Sequence, residues 1–341
     1  MAIAIAVEGN AMTDINSAPG QGRRAFFKEL AGAGGALLMA EQAGRLMAQT
    51  APDWKRQIGL ETYTVRDLEA KDFEGTLAKV AEIGYKEIEP ATSYGRLDPK
   101  AFRALMDRLG LTPVSTHVGA TDNADLEKQL EGYQTMGIRY TEINGGGRGG
   151  AGGGRAAGAA PAAAAAAGQR SPMTEESVKQ RAQEINRHGE IAKKFGLKML
   201  IHNHTGEFEL LEGGKKTQYD ALLAETDPAL VAMQLDIGWA SVAGQNILEM
   251  FKKSPGRFEL WHVKDARGIK AMDASMSLAE RQRTAYLVPV GQGEIDYKTI
   301  FANASLAGMK HFCVEQDNAA AWGDSMAAAQ ASYQGLTKIL S

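Results

Sequence analysis

An α/β chain folded as one closed (β/α)8 barrel, a TIM barrel, is what this sequence predicts. Three observations predict it. From Gln57 onward, eight short apolar runs alternate with segments of helical periodicity. Several helical segments end on a glycine just ahead of the next apolar run, as a C-cap requires. Each apolar run ends in an ionisable or hydrogen-bonding residue, and a barrel collects such residues on one rim. A doubly wound open sheet is the alternative, and the count of eight favours closure.

The elements follow in order. Ile58 to Val65 reads as a strand and Phe73 to Ile83 as an amphipathic helix closed by Gly84. Lys86 to Pro90 is the second strand; Asp98 opens a helix that Gly110 ends. Thr112 to Val118, a helix over Asp122 to Met136, and Arg139 to Asn144 come next. Thr174, with glutamates close behind it, opens a long helix in a capping-box pattern that ends near Gly196. Strands at Lys198 to His204, Ala232 to Ile237, Phe258 to Lys264 and His311 to Asp317 complete the eight. Helical runs at Tyr219 to Glu225, Asn246 to Lys253 and Tyr297 to Ala307 lie between them, and Ser325 to Leu340 closes the chain. Residues 145–172 are almost all Gly and Ala and cannot bury enough specific surface to fold alone. They read as a disordered low-complexity insertion after the fourth strand, of a length that loops accept at low cost.

Composition bounds the function. The 341 residues are 44% apolar and 23% charged with a formal net charge of −3, in the ordinary globular range. There is no long basic run, which argues against a nucleic-acid binder. Cys313 is the only cysteine, so no intramolecular disulfide can form; in its apolar run it reads as a buried thiol. No stretch of 18 apolar residues marks a membrane span. The composition permits a homo-oligomer. Gly22-Arg23-Arg24-Ala25-Phe26-Phe27-Lys28, followed by a weakly apolar run from Leu30 to Ala40, resembles a twin-arginine export signal. Small residues near Ala48 and Ala51 suit cleavage. Residues 1–51 are therefore set apart as a signal and disordered N-terminus, with the barrel over 52–341. The resemblance implies a periplasmic protein exported already folded.

The chemistry gathers at the strand ends. Ile201-His202-Asn203-His204-Thr205-Gly206-Glu207 is the densest stretch. Alternation along a strand points His202 and His204 to the same side, and two imidazoles at the end of a buried strand suit a divalent metal. Glu61 and Tyr63, Glu89, His117, and Glu142 with Asn144 stand at the ends of the first four strands. Asp236, His262 with Lys264, and Glu315 with Asp317 stand at the last three. Burying so many ionisable groups without a compensating cation or substrate would cost several kcal/mol per charge. Gly291-Gln292-Gly293 lacks the Lys-Ser/Thr of a nucleotide loop and reads as a turn into a helix capped by Asp296.

Six segments, taken in order, carry a family resemblance. They are Ile58-Gly59-Leu60-Glu61-Thr62-Tyr63-Thr64-Val65-Arg66, the His-Asn-His run, Leu235-Asp236-Ile237-Gly238-Trp239, His262-Val263-Lys264-Asp265, Gly291-Gln292-Gly293-Glu294-Ile295-Asp296 and Val314-Glu315-Gln316-Asp317. From about Ile58 to Leu340 the chain resembles the xylose-isomerase-like barrel superfamily, in its sugar phosphate isomerase/epimerase branch. The resemblance implies one divalent ion held by a Glu, an Asp, a His and a Glu from strands five to eight. Asp236, His262 and Glu315 match three of these. His202 stands where relatives carry the first Glu; His202 is the assigned ligand, with His204, Glu207 and Glu142 as alternatives. Two imidazoles and two carboxylates suit manganese, zinc, iron or cobalt better than calcium. Glu207 and Asp265, read as loop residues, are candidates to orient a ligating histidine.

The implied activity is metal-dependent isomerisation or epimerisation of a sugar, polyol or keto-sugar through an enediolate. Glu142 is the expected base, with Glu315 as a second. His204 and Lys264 are expected to bind or protonate hydroxyls and His117 to bind substrate. Tyr63 and Trp239 are expected to stack on a sugar face. A lyase or dehydratase shares the first step, because the same enediolate can expel a β-leaving group. Export favours an unphosphorylated substrate. Nucleic-acid hydrolysis, as in apurinic endonucleases of this barrel, is disfavoured by Gly238 and Trp239 where another histidine is needed. A non-catalytic periplasmic sugar-binding protein is the remaining alternative.

Overall fold

The computed structural model describes residues 54–144 and 173–341. The segment expected to be an export signal and the Gly/Ala insertion lie outside the described residues.

Nine parallel strands form one sheet in the order β3-β2-β1-β11-β8-β7-β6-β5-β4. They are β1 (Gly59–Glu61), β2 (Glu87–Glu89), β3 (Thr112–Pro113), β4 (Ser115–Thr121), β5 (Tyr140–Asn144), β6 (Lys198–His202), β7 (Val231–Asp236), β8 (Leu260–Val263) and β11 (His311–Val314). The two ends of that order, β3 and β4, are consecutive in the chain and joined by Val114 alone. Val114 donates its N–H to the Ile88 carbonyl at 3.1 Å, and its own carbonyl accepts from Arg139 N–H at 3.0 Å. The third stave is thus one run bonded to β2 below and β5 above, and eight staves close the ring. Pro113 has no N–H to offer, which interrupts the ladder there without opening the barrel.

Alternation along the staves sorts the core into two shells. Met199, Ile201, Met233, Leu235, Trp261 and Val263 join the outer core against the helices. Their neighbours Leu200, Ala232 and Leu260, with Tyr140, form a separate inner cluster. Above this inner plug the inward positions become His202, Gln234 and His262, and Asp236 follows one period further along β7. The outer shell is closed by Trp261, which stacks on Phe251 with ring centroids 5.3 Å apart and 10° between planes. Burying side chains of this size contributes roughly 2–3 kcal/mol each.

The strands are shorter than the apolar runs suggest. The first run ends as a strand at Glu61, and Thr62–Val65 coils into a 3-10 turn. The last strand ends at Val314, so Glu315 and Asp317 lie on the loop beyond it. The Thr174 cap forms, accepting from Ser177 N–H, but the residue three places on is a serine, so no reciprocal Glu bond completes a box. Helix Tyr297–Ala302 breaks from Ala304–Ala307 at Asn303.

Several elements have no counterpart in the apolar and helical pattern of the sequence. Ile237–Val242 is a short helix capped by Asp236. Leu278–Thr284 is a helix whose capping box pairs Ser277 with Glu280. Before and after it, β9 (Asp265–Arg267) and β10 (Tyr286–Val288) pair antiparallel. The turn at Gly291-Gln292-Gly293 does lead to the Asp296 cap, whose carboxylate accepts from Thr299 N–H at 3.1 Å. Asp265 holds that turn, accepting from the N–H groups of Gly291 and Gly293 at 2.9 Å each. A Cβ at Gly293 would sit 2.0 Å from the Asp265 carboxylate, so only glycine fits there.

Candidate metal centre and active site

The β7–β8 register sets Asp236 level with His262, and the β6–β7 register sets His202 level with Gln234. One ligand atom each from His202, Asp236, His262 and Glu315 lies within 4.8 Å of the other three. Atoms bound to one ion at about 2.1 Å stand at most about 4.2 Å apart, so a small contraction would let all four share it. His262 Nδ1 approaches Glu315 Oε2 to 2.7 Å and Asp236 Oδ2 to 3.9 Å. His202 Nε2 is 3.4 Å from Asp236 Oδ2. His262 Nδ1 and Glu315 Oε2 are buried with no hydrogen-bond partner among the described residues. Donor atoms of two imidazoles and two carboxylates converge here, and a set of that chemistry fits a divalent cation.

Asp236 divides its work. Oδ1 accepts from Trp239 N–H at 2.7 Å and caps Ile237–Val242, which fixes the carboxylate. Oδ2 faces the cluster. Asn203, between the two histidines, clamps the same strand end: its side chain accepts from Asp236 N–H at 3.0 Å and donates to the Asp236 carbonyl at 3.2 Å.

Lys264 is fully buried inside this group. Its Nζ lies 3.1 Å from Asp236 Oδ2, 3.0 Å from Glu315 Oε2 and 2.6 Å from Asp317 Oδ2. The same ammonium stands 4.8 Å from the Trp239 ring centroid. Trp239 packs against Val242, Ala266 and Leu287. It is therefore a wall beneath Lys264 and not the open sugar-stacking platform expected from sequence. Tyr63 is half-buried, and the Arg66 guanidinium covers one ring face at 3.8 Å.

A second layer adjoins the cluster. His117 Nε2 lies 2.9 Å from Glu89 Oε1 and 2.8 Å from Gln234 Oε1, and its Nδ1 is 3.7 Å from Glu142 Oε1. Glu89 Oε2 accepts from His262 Nε2 at 2.9 Å. The His202 ring packs edge-on to both His117 and His204, with centroids 5.1 and 4.9 Å away. His204 is half-buried, and its N–H donates to Glu207 Oε2 at 2.7 Å. The side chains of Asp317, Glu142 and His117 are 30%, 15% and 11% exposed, while Glu89, Asp236, His262 and Lys264 show at most 1%. The centre is therefore solvent-accessible on the Glu142–His117–Asp317 side.

Protonation follows from the company each group keeps. Burial pushes Glu61 well above the usual carboxylate range, and the neighbouring Glu315 adds to it. Burial likewise raises Glu142, against the pull of His117. It raises Asp236 and Asp317, with Lys264 opposing in both. Glu315 and Glu89 go the other way: burial would raise them, but Lys264 and His262 hold Glu315 down, and His117 and His262 hold Glu89 down. His117 and His262 are raised to about 10, since Glu89 with Glu142 or Glu315 outweighs burial. His202 falls well below its ordinary value through burial and three neighbouring imidazoles, so it presents a neutral ring.

The structure brings together His202, Asp236, His262, Glu315 and Lys264, with Glu142, His117 and His204 on the open side. Glu207 and Asp265 were read as loop residues free to orient a ligating histidine. Both are buried. Asp265 is engaged by backbone N–H groups, and Glu207 accepts from the His204 backbone. Glu89 and Gln234, which link His262 to His117, carried no assigned role. Their only sequence signal was a position at or near a strand end.

An eight-stave barrel with a buried carboxylate–imidazole cluster at the C-terminal ends of its strands defines a class of barrel with a candidate metal centre. The sequence profile described as xylose isomerase-like TIM barrel matches residues 77–334, and the chain belongs to that family. An inosose dehydratase from Bacillus licheniformis is 32% identical over 152 residues, 42% of this chain and 49% of the relative. The chain thus matches about half the length of that relative. A sugar phosphate isomerase/epimerase from Parabacteroides distasonis superposes with a TM-score of 0.60 at 20% identity, over 84% of this chain and 96% of its own. A xylose isomerase-like TIM barrel protein from Mycobacterium smegmatis in complex with magnesium gives 0.54 at 15% identity, over 85% and 97%. At these identities the two structures share the fold with this chain.

Proposed function

We propose that this protein is a divalent-metal-dependent enzyme that enolises a keto-sugar or keto-polyol, giving isomerisation or epimerisation. The observation that carries the reading is the cluster of His202, Asp236, His262 and Glu315, with donor atoms within 4.8 Å, flanked by Glu142 and His117 on its accessible side. The four clustered residues would hold the cation, and a manganese, zinc, iron or cobalt ion suits them. When bound, that ion would act as a Lewis acid toward the oxygens that gain charge as the proton leaves.

The chain's own residues do the rest. Glu142 removes the proton beside the carbonyl. Burial raises it toward the working pH, which strengthens it as a base. His117 braces Glu142 from 3.7 Å and is itself held by Glu89 and Gln234. His204, half-buried on the open side, donates to substrate hydroxyls, while Lys264, fully buried, holds the carboxylates of Asp236, Glu315 and Asp317. The polar layer lies above the apolar inner plug, which closes the far side of the site to bulk water.

Elimination is the second reading, favoured by the likeness to inosose dehydratase. Glu142 takes the C–H proton, the electron pair forms the C=C bond, the adjacent C–O bond breaks, and a proton from His204 leaves with the oxygen as water. Isomerisation or epimerisation predicts uptake of deuterium from D2O at the carbon beside the carbonyl, and elimination predicts loss of that C–H signal together with water. Metal-loaded protein would be incubated with keto-sugars and inososes and followed by proton NMR. Exchange with mass retained supports isomerisation, and loss of water supports elimination. A metal-loaded protein that neither exchanges a C–H proton nor releases water with any of them refutes both and leaves a sugar-binding module.

Export belongs to the same proposal. If Arg23 and Arg24 direct twin-arginine transport, changing both to lysine will retain the protein in the cytoplasm, scored by cell fractionation. Periplasmic accumulation of that variant would refute it.

A further inference from the structure

Glu89 is the most heavily engaged side chain of the barrel interior, and the chemistry proposed above leaves it without a direct part. It is fully buried. Gln234 Nε2 donates to both of its oxygens, at 3.0 and 2.8 Å. Its Oε2 also faces His262 Nε2 at 2.9 Å, and its Oε1 faces His117 Nε2 at 2.9 Å. Both oxygens are thus used as acceptors. An ionised carboxylate can only accept, so the proton of the His262 contact belongs to Nε2. The other His262 nitrogen, Nδ1, points at Asp236 and Glu315 and lacks a hydrogen-bond partner among the described residues.

We propose that Glu89 is a positioning residue: by holding the Nε2 protons of His262 and His117 on one carboxylate, it makes Nδ1 of His262 the metal-facing atom and ties that ligand to the histidine bracing Glu142. The inference rests on reading the four-residue cluster as a cation site. A carboxylate behind a ligating imidazole fixes the ring's tautomer and orientation and raises its basicity, and losing one typically costs about 10–100-fold in metal affinity. Here one carboxylate serves two imidazoles, so the ligand and the proton-transfer side cannot shift independently. Gln234 supplies the donor that keeps the Glu89 carboxylate aimed.

The test measures zinc binding to the full-length protein by chelator competition, and 15N spectra of zinc-loaded protein labelled in histidine. In the unmodified protein His262 should show a protonated Nε2 and a coordinated Nδ1. Glu89→Gln should bind zinc about 10–100-fold more weakly and lose that Nε2–H signature. Glu89→Asp, which keeps the charge, should lose less. A His117→Gln control should retain the His262 signature, because it removes only the second imidazole. Glu89→Gln binding zinc within about twofold of the parent would overturn the proposal, as would coordination through Nε2 in the parent. If Glu89→Gln does not fold, the parent's spectrum decides alone. A parent that binds no zinc, manganese or magnesium fails the cation-site reading itself, which is a separate outcome.

Discussion

Lys264→Met should separate the two cations that compete for this centre. The ammonium is fully buried and lies within 3.1 Å of carboxylate oxygens from Asp236, Glu315 and Asp317. Methionine preserves the stem's packing and removes the charge. Breaking a buried ion pair by deleting one partner costs about 3–5 kcal/mol, because the remaining charges stay uncompensated. Asp236 and Asp317, already raised by burial, can relieve part of this by taking up protons, which favours the lower end of that range. For a barrel of this size about 3 kcal/mol lowers the melting temperature by roughly 5 °C in chelator. A saturating divalent cation restores charge to the same oxygens. It should therefore raise the variant's melting temperature by more than it raises the parent's. At a hundredfold excess over its dissociation constant, a ligand adds about 2.7 kcal/mol to either form. The excess gain beyond that comparison reports the tighter binding left by removing a competing ammonium. The measurement is a pair of melts, with chelator and with manganese, for both proteins. A loss under about 1 kcal/mol in chelator, or equal stabilisation of both proteins by metal at matched concentration, would show that the ammonium does not balance these carboxylates.

Other perturbations test other parts of the molecule. Glu69 is buried with neither carboxyl oxygen hydrogen-bonded among the described residues, and burial raises it to about 8. Between its ordinary value and about 8 the folded protein holds a proton that the unfolded chain releases, so stability should fall as pH rises through that window, by up to about 5 kcal/mol; Glu69→Gln should flatten the slope in denaturant titrations at pH 5 and pH 8. An unchanged slope would count against it. Asp265→Ala removes the acceptor for the N–H groups of Ala266, Gly291, Gly293 and Ile295 and should cost about 3–5 kcal/mol, with faster hydrogen exchange confined to those amides. Glu142→Gln should lower solvent exchange on the substrate about 100-fold or more while leaving metal affinity within about twofold; a matching loss of metal would make Glu142 a ligand instead of a base.

Legibility in the sequence differed between parts of the site for physical reasons. Asp236, His262 and Glu315 could be picked out because each ends an apolar run, and a barrel's topology sends such ends to one face. His202 could be found because the two-residue period of a strand is visible without knowing its partners. Glu89 and Gln234 could not be ranked, because a polar residue at or near a strand end looks the same whether it meets water or another stave's histidine. Asp265 and Glu207 were misread for the same reason: a carboxylate in a loop gives no sign of backbone N–H groups folded around it. The helix at Ile237–Val242 is only two turns long, and its cap is the same Asp236 that serves the site. A single local signal there had two uses.

The sequence by itself determined the periodic pattern of apolar and polar positions, hence the number of staves, the sidedness of each, and the end at which charge would collect. Those are properties of nearest neighbours along the chain, and the backbone's fixed periods translate them directly. Which charges face each other was decided only by tertiary structure. Ring closure at Val114 and the stagger between staves bring Glu89 within 3 Å of His262, 173 residues later, and bring Lys264 into contact with three carboxylates. The electrostatic energy of such groups depends on distances and burial that no local stretch of chain encodes.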